Sequence, residues 1–143
     1  MFSLQTWNLW WGGTKVDDGH RKMVEIVRNH GADIICTQEC YKDCARAVFE
    51  EIGHHHVQQD FDCAVSTAFD VELLETPTSP YATAAWVAIP AASGEPRRVL
   101  VWSVHLAPWD YGPYAALKGE DPTVINTQPE ERQRQEQIAE ILK

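Results

Sequence analysis

The segment Ala32-Asp33-Ile34-Ile35-Cys36-Thr37-Gln38-Glu39 reads as a buried strand that stops in a carboxamide and a carboxylate. A short strand with no polar alternation is expected where both faces of a sheet are covered. Its flanks agree with that setting. From Asp18 to His30 the pattern is helical, with Met23, Ile26, Val27 and His30 at i, i+3, i+4 and i+7. Asp17 or Asp18 is placed to cap its start, and Gly31 to end it in a left-handed conformation. Phe2 to Leu9 reads as an earlier strand, with Phe2 and Leu4 on one face, Trp7 and Leu9 on the other, and Gly12-Gly13 breaking it. Lys42 to Ile52 predicts a second helix on the stripe Ala45, Val48, Phe49 and Ile52, stopped by Gly53. Strand, helix, strand in this order implies a right-handed crossover and a parallel pair.

Beyond Gly53 the period changes. His56–Gln59, Cys63–Thr67 and Val71–Leu74 read as short strands at meander spacing. Thr83 to Ile89 and Arg97 to Leu106 flank a turn bounded by Pro90 and Pro96, which predicts a hairpin. Ala107 to Gln128 reads as a long loop rich in Trp, Tyr, Pro and Gly. Pro129 suits the first turn of a last helix, with Glu130 and Glu131 near its positive end and Ile138, Ile141 and Leu142 as its apolar stripe.

Composition narrows the classes. The 143 residues, 44% hydrophobic and with six Trp, are enough for one globular domain. The net charge of -9 disfavours a long duplex DNA track. No window of 18 apolar residues predicts a membrane span. No basic segment followed by an apolar one marks a secretory leader, so the cytoplasm is the expected compartment. Cys36, Cys40, Cys44 and Cys63 lack the paired spacing of a zinc site, which leaves reduced, partly buried thiols. His54-His55-His56 would alternate across a strand and converge poorly on one ion.

Three apolar runs end in one polar group each: Asn8 after Leu4–Trp7, Glu39, and His105 after Val99–Val104. Gathered at one rim of a sheet, these groups suit a hard cation and a phosphate. Each also has an ordinary alternative: a solvated carboxylate at a strand end, an Asn turn former, a satisfied histidine. Tyr111, Tyr114 and Trp109 on the long loop are candidates for a substrate-facing aromatic wall or for cover over a sheet edge. Asp110, Glu120 and Asp121 are further loop carboxylates, with no spacing that singles one out.

Thr6-Trp7-Asn8-Leu9-Trp10, then Gly31 to Glu39, then Ser103-Val104-His105-Leu106 resembles the endonuclease/exonuclease/phosphatase family, the DNase I-like fold. Asp62-Cys63-Ala64-Val65-Ser66-Thr67 resembles its Gly-x-Ala-Ile-Leu-Ser strand, and Arg132-x-x-Gln135-x-x-x-Ala139-x-x-Leu142 the helix after its His-Leu strand. The resemblance implies an α/β (α+β) chain forming part of a four-layer α/β sandwich, a mixed sheet with helices packed on one face. It also implies a divalent-metal-dependent phosphoester hydrolase in which water attacks phosphorus. Glu39 would hold Mg²⁺, for which Mn²⁺ would substitute. Asn8 would orient Glu39 or touch the ion or phosphate, and His105 would contact phosphate. The family's Asn-x-Asp and Asp-His motifs do not occur in residues 1–143. The expectation is therefore a single truncated domain, weak or inactive by itself, that needs a complementing C-terminal segment. The alternative expectation is a non-catalytic half-domain that self-associates or binds a partner through an uncovered sheet face.

Overall fold

The computed structural model describes residues 1–108 and 111–143. It divides into two compact units, Met1–Val104 and His105–Lys143.

The first unit is built in three layers. One sheet holds β1 (Leu4–Asn8), β2 (Ile34–Gln38), β4 (Ala64–Thr67) and β3 (His55–Gln58), in the order β1-β2-β4-β3. The β1–β2 pair is parallel and the others antiparallel, so the sheet is mixed as expected. The second sheet is the antiparallel meander β5 (Asp70–Leu74), β6 (Ala82–Ile89), β7 (Arg97–Val104). Helices α1 (Gly19–His30) and α2 (Cys44–Glu51) cover the outer face of the first sheet.

The uninterrupted apolar character of β2 has a direct cause. All five of its residues are buried. Ile35 packs with α1 and α2 through Val24, Val27, Val48 and Phe49, while Ile34 and Cys36, with Val65 of neighbouring β4, face the second sheet through Ala85, Val87 and Val101. Each large apolar side chain so buried contributes roughly 1.5–3 kcal/mol. The α2 stripe is the predicted one, with Ala45, Val48 and Phe49 buried and Ile52 packed against them. The α1 stripe is shifted. Met23, Val24 and Val27 are buried, while Ile26 and His30 are exposed, because the helix turns its Gly19-Met23-Val27 line inward.

Both ends of α1 follow from backbone conformation. Gly31 takes φ 61°, and its N–H donates to Val27 O at 3.0 Å, the expected left-handed stop. Asp18 does not cap with its side chain. An N-cap residue needs extended backbone, but Asp18 has φ 53°, and its carboxylate takes the Arg21 guanidinium instead.

The second unit corrects the long-loop expectation. Between Ala107 and Gln128 lie two short helices, α3 (Gly112–Leu117) and α4 (Pro122–Ile125). Pro113 and Pro122 stand in their first turns, where a missing N–H costs nothing, so these prolines start helices here. The Asp121 carboxylate accepts from the Thr123 hydroxyl, which lowers the Asp121 pKa most, and from Thr123 N at 2.7 Å, which caps α4 and lowers it further. The last helix, α5 (Pro129–Ile141), begins at Pro129 with Glu130 and Glu131 in its first turn, as predicted. Its side chains tie the unit together: Arg134 donates to Ala107 O at 2.6 Å, and Glu131 accepts from Gly112 N at 2.7 Å. The Arg134 guanidinium also holds the Glu131 carboxyl below its ordinary range.

Candidate functional site

The parallel β1–β2 register sets Asn8 opposite Gln38, so Glu39 emerges one residue past the end of the pair. Asn8 Nδ2 donates to Glu39 Oε1 at 2.9 Å, and Trp11 N donates to Glu39 Oε2 at 2.9 Å. Each carboxylate oxygen therefore accepts one protein donor and keeps lone pairs for something else. Asn8 Oδ1 in turn accepts from Trp10 N at 2.9 Å. Glu39 is half-buried and Asn8 exposed, so the pair lies at the rim of the sheet and opens to solvent.

The backbone around this pair is unusual. Trp10, Trp11, Gly12 and Gly13 have φ of 50°, 58°, 61° and 76°, one turn of left-handed helix. Gly13 N closes it by donating to Leu9 O at 2.8 Å. The sequence places the break after β1 at the glycines; the structure starts it two residues earlier, on the tryptophans. Glu39, Tyr41 and Lys42 also have positive φ, at 54°, 45° and 56°. Non-glycine residues held this way cost of order 1–3 kcal/mol each and gather at functional sites. Five of the six such residues among those described lie in the two loops that enclose the Glu39 carboxylate, with Asp18 the sixth.

Long-range hydrogen bonds hold the strained loops. Asp62 Oδ1 accepts from Glu39 N at 3.0 Å, Asp62 O from Cys40 N at 2.9 Å, and Glu39 O from Gly12 N at 2.6 Å. Below Glu39, Gln38 Nε2 donates to Thr6 Oγ1 and Ser103 Oγ, both at 3.2 Å, and Ser103 Oγ donates to Thr37 O at 2.8 Å. This network ties β1, β2 and β7 together beneath the carboxylate. Buried Cys40 lies against Thr37 Oγ1 at 3.2 Å, and burial pushes its thiol up to about 12.

The other sequence candidates belong to other elements of the chain. His105 directly follows β7 and is the first residue of the second unit, where it is half-buried. Tyr111 and Tyr114 belong to that unit as well, at the start of α3, with their rings edge to face at 5.8 Å. Trp109 and Asp110 lie outside the described residues. His54 and His56 both stack on Phe49, whereas His55 turns the other way, within 4.0 Å of Asp70. All four cysteines are thiols outside any disulfide.

No cluster of three or more His, Cys, Asp or Glu side chains converges on one point among the described residues. The Glu39–Asn8 pair nonetheless fits a hard cation. Mg²⁺ commonly takes one or two carboxylates, keeps several waters and binds substrate phosphate. An all-oxygen donor set with unshared lone pairs at a wet rim meets that demand.

Fold and site together define an α+β chain with a carboxylate at the end of a parallel strand pair. The sequence matches the model of the Endonuclease/Exonuclease/phosphatase family over residues 6–142. The chain belongs to this family. It is 27% identical over 114 residues to the uncharacterized protein F14F9.5 of Caenorhabditis elegans, covering 79% of this chain and 36% of the relative. Among solved structures it is similar to humanized D. rerio TDP2 carrying 14 mutations. That match has a TM-score of 0.51 and 13% identity, and covers 73% of this chain and 47% of the other. The chain thus spans about a third of the curated relative and about half of the structural neighbour, and the latter likeness concerns the fold alone. No helix among the described residues is long and apolar enough to cross a membrane.

The sequence did not single out Trp10, Trp11 or Asp62. A Trp-Trp-Gly-Gly run signals a turn but not its hand. The Asp62 contact spans 23 residues of chain and has no local signature.

Proposed function

We propose that the chain carries the metal-binding part of a divalent-metal-dependent phosphoester hydrolase, with Glu39 as a ligand. The observation behind this is the Glu39 carboxylate, held by Asn8 Nδ2 and Trp11 N in strained backbone with lone pairs left over. Asn8 fixes the carboxylate and, through its Oδ1, the turn beside it. A bound Mg²⁺ or Mn²⁺ would polarise the phosphoryl oxygen and offset the charge that develops on it. His105 is assigned a hydrogen bond to a phosphate oxygen, which stabilises the same charge. Deprotonation of the attacking water, worth roughly 10²–10⁴ in rate, is assigned to none of these residues. Residues 1–143 alone are therefore expected to bind metal but to hydrolyse a phosphodiester weakly or not at all.

The test is Mn²⁺ binding followed by electron paramagnetic resonance, with Mg²⁺ competition. Stoichiometric binding that Glu39→Gln abolishes supports the reading. Binding unchanged in Glu39→Gln ends it, as does phosphodiesterase activity indifferent to chelator.

A second reading, a half-domain that self-associates or takes a partner, is favoured by one specific surface. Free-edged β1 and β7 flank a cleft lined by Phe2, Leu4, Thr6, Leu100, Trp102 and Val104. Leu4 is 54% exposed. Exposed apolar surface of this kind marks interaction sites when contiguous. Light scattering decides: concentration-dependent dimers lost in Leu4→Lys support it, and a monomer at all concentrations does not.

A further inference from the structure

Trp10 and Trp11 are 58% and 51% exposed, an expensive arrangement for two adjacent tryptophans in strained backbone. Their peptide N–H groups are the same ones that donate to Asn8 Oδ1 and Glu39 Oε2. The two indoles are thus carried on the same turn whose amides hold Asn8 and the proposed ligand carboxylate. Two cations attend the same loops. Lys15 Nζ lies 5.7 Å from the Trp11 ring centroid, and Lys42 Nζ lies 5.3 Å from that of Tyr41, which packs edge-on to Trp11 at 5.6 Å. Lys15 and Lys42 are exposed, in a chain whose net charge is -9.

From this juxtaposition we infer that the Trp10–Trp11 turn is a stacking subsite for a nucleobase whose phosphate lies toward Glu39. Exposed aromatic residues beside exposed ammonium groups match a ligand that is aromatic at one end and anionic at the other. Base–aromatic stacking tolerates any base, because every base presents a π-face. The acidic remainder of the molecule opposes a long polyanion, so the ligand is nucleotide-sized, either a mononucleotide or the end of a single strand. A lipid surface would also accept Trp and Lys. However, the turn that carries these indoles is fixed by backbone hydrogen bonds to Asn8 and Glu39, which a peripheral membrane anchor does not require. The inference deepens the metal-site reading and rests on it for the placement of the phosphate.

The experiment is a titration of the 143-residue chain with adenosine 5′-monophosphate in chelator, followed by calorimetry and tryptophan fluorescence. Ribose 5-phosphate serves as the ligand without a base, and phosphatidylcholine–phosphatidylserine vesicles as the lipid arm. The nucleotide is expected to bind at least about tenfold more tightly than ribose 5-phosphate, within the range that stacking supplies. Trp10→Ala should erase that preference and Trp10→Tyr retain it, with raised salt weakening both ligands through Lys15 and Lys42. Trp10 is the chosen position because the Trp11 ring packs on Tyr41, and circular dichroism checks that the variant is folded. Equal affinity for the two ligands, a preference that survives Trp10→Ala, or Trp10-dependent vesicle binding without nucleotide preference would each overturn the inference. Because the titration is run in chelator, failure of Mn²⁺ binding at Glu39 would end the metal reading while leaving this result standing.

Discussion

Asn8 Nδ2 donates to Glu39 Oε1 at 2.9 Å across the open end of a parallel strand pair, while Asn8 Oδ1 accepts from Trp10 N. One carboxamide therefore orients the candidate ligand and pins the turn beside it. Removing a group that orients a metal ligand typically costs 10–100-fold in affinity. Asn8→Ala is expected to weaken Mn²⁺ binding by roughly 10–100-fold, and Glu39→Gln to abolish it. Paramagnetic resonance titrations of the two variants at one pH check the order. Equal affinity in Asn8→Ala and wild type would remove Asn8 from the site.

Asp62 is the acceptor for Glu39 N and, through its backbone, for Cys40 N. Asp62→Ala leaves a strained, half-buried amide without its charged partner. A hydrogen bond to a charged group contributes about 1.5–3 kcal/mol, so the urea midpoint should fall by a matching amount. Mn²⁺ affinity should fall with it, whereas Asp62→Asn should recover much of the loss through its carbonyl. A variant as stable as wild type would show that the left-handed Glu39 needs no such support.

The histidine stack gives a pH dependence. Burial lowers the pKa of His56, whose ring lies against Phe49 and Ser66 Oγ, and burial also lowers that of His54. A group whose folded pKa is depressed in this way binds fewer protons folded than unfolded. Stability from these neutral rings is complete above the unfolded value of 6.5 and is lost as pH falls through and below it. Melting temperature should be flat from pH 8 to about 7 and decline toward pH 5.5, with a shallower decline in His56→Gln. An unchanged slope in that variant would exclude His56 as the cause.

Thiol reactivity should separate one cysteine from three. Cys36, Cys40 and Cys63 are buried, and burial pushes the first two thiols up to about 11 and about 12. Disulfide reagents need an accessible thiolate. Half-exposed Cys44, at the start of α2, is then the one thiol expected to react in the native state, with all four reacting in urea. A Cys44→Ser chain that still titrates one fast thiol would contradict this.

What could be read from the sequence follows burial. β2 and α2 were legible because two-sided and one-sided burial leave different periods, and Ile34-Ile35-Cys36 and Ala45, Val48, Phe49 keep them cleanly. Asn8 and Glu39 were legible as strand-end polar groups, and the register brings them into contact. α3 and α4 were not, because Gly112-Pro113 and Asp121-Pro122 look alike whether the chain turns or starts a short helix. The left-handed turn was hidden for another reason: a tryptophan with positive φ contradicts its own propensity and is imposed by contacts distant in the chain. Trp11 N reaches Glu39, 28 residues away.

Gly12 and Gly31 give a matched pair for weighing that turn. Both have φ of 61°, so alanine at either pays about 1–2 kcal/mol for the left-handed conformation. They differ in space. A Cβ on Gly12 would meet Cys44 Cβ at 2.6 Å and Cys40 O at 2.8 Å, whereas one on Gly31 meets nothing within 4 Å. Crowding against backbone adds typically 1–3 kcal/mol, so Gly12→Ala should be the less stable variant by about that margin. Relief of the clash must move the Gly12 N to Glu39 O bond, and with it the Trp11 amide that holds Glu39 Oε2. Gly12→Ala should therefore also lose Mn²⁺ affinity and shift tryptophan emission, and Gly31→Ala should do neither. Equal urea midpoints and equal Mn²⁺ affinities in the two variants would show that the turn tolerates the extra methyl and does not govern the carboxylate.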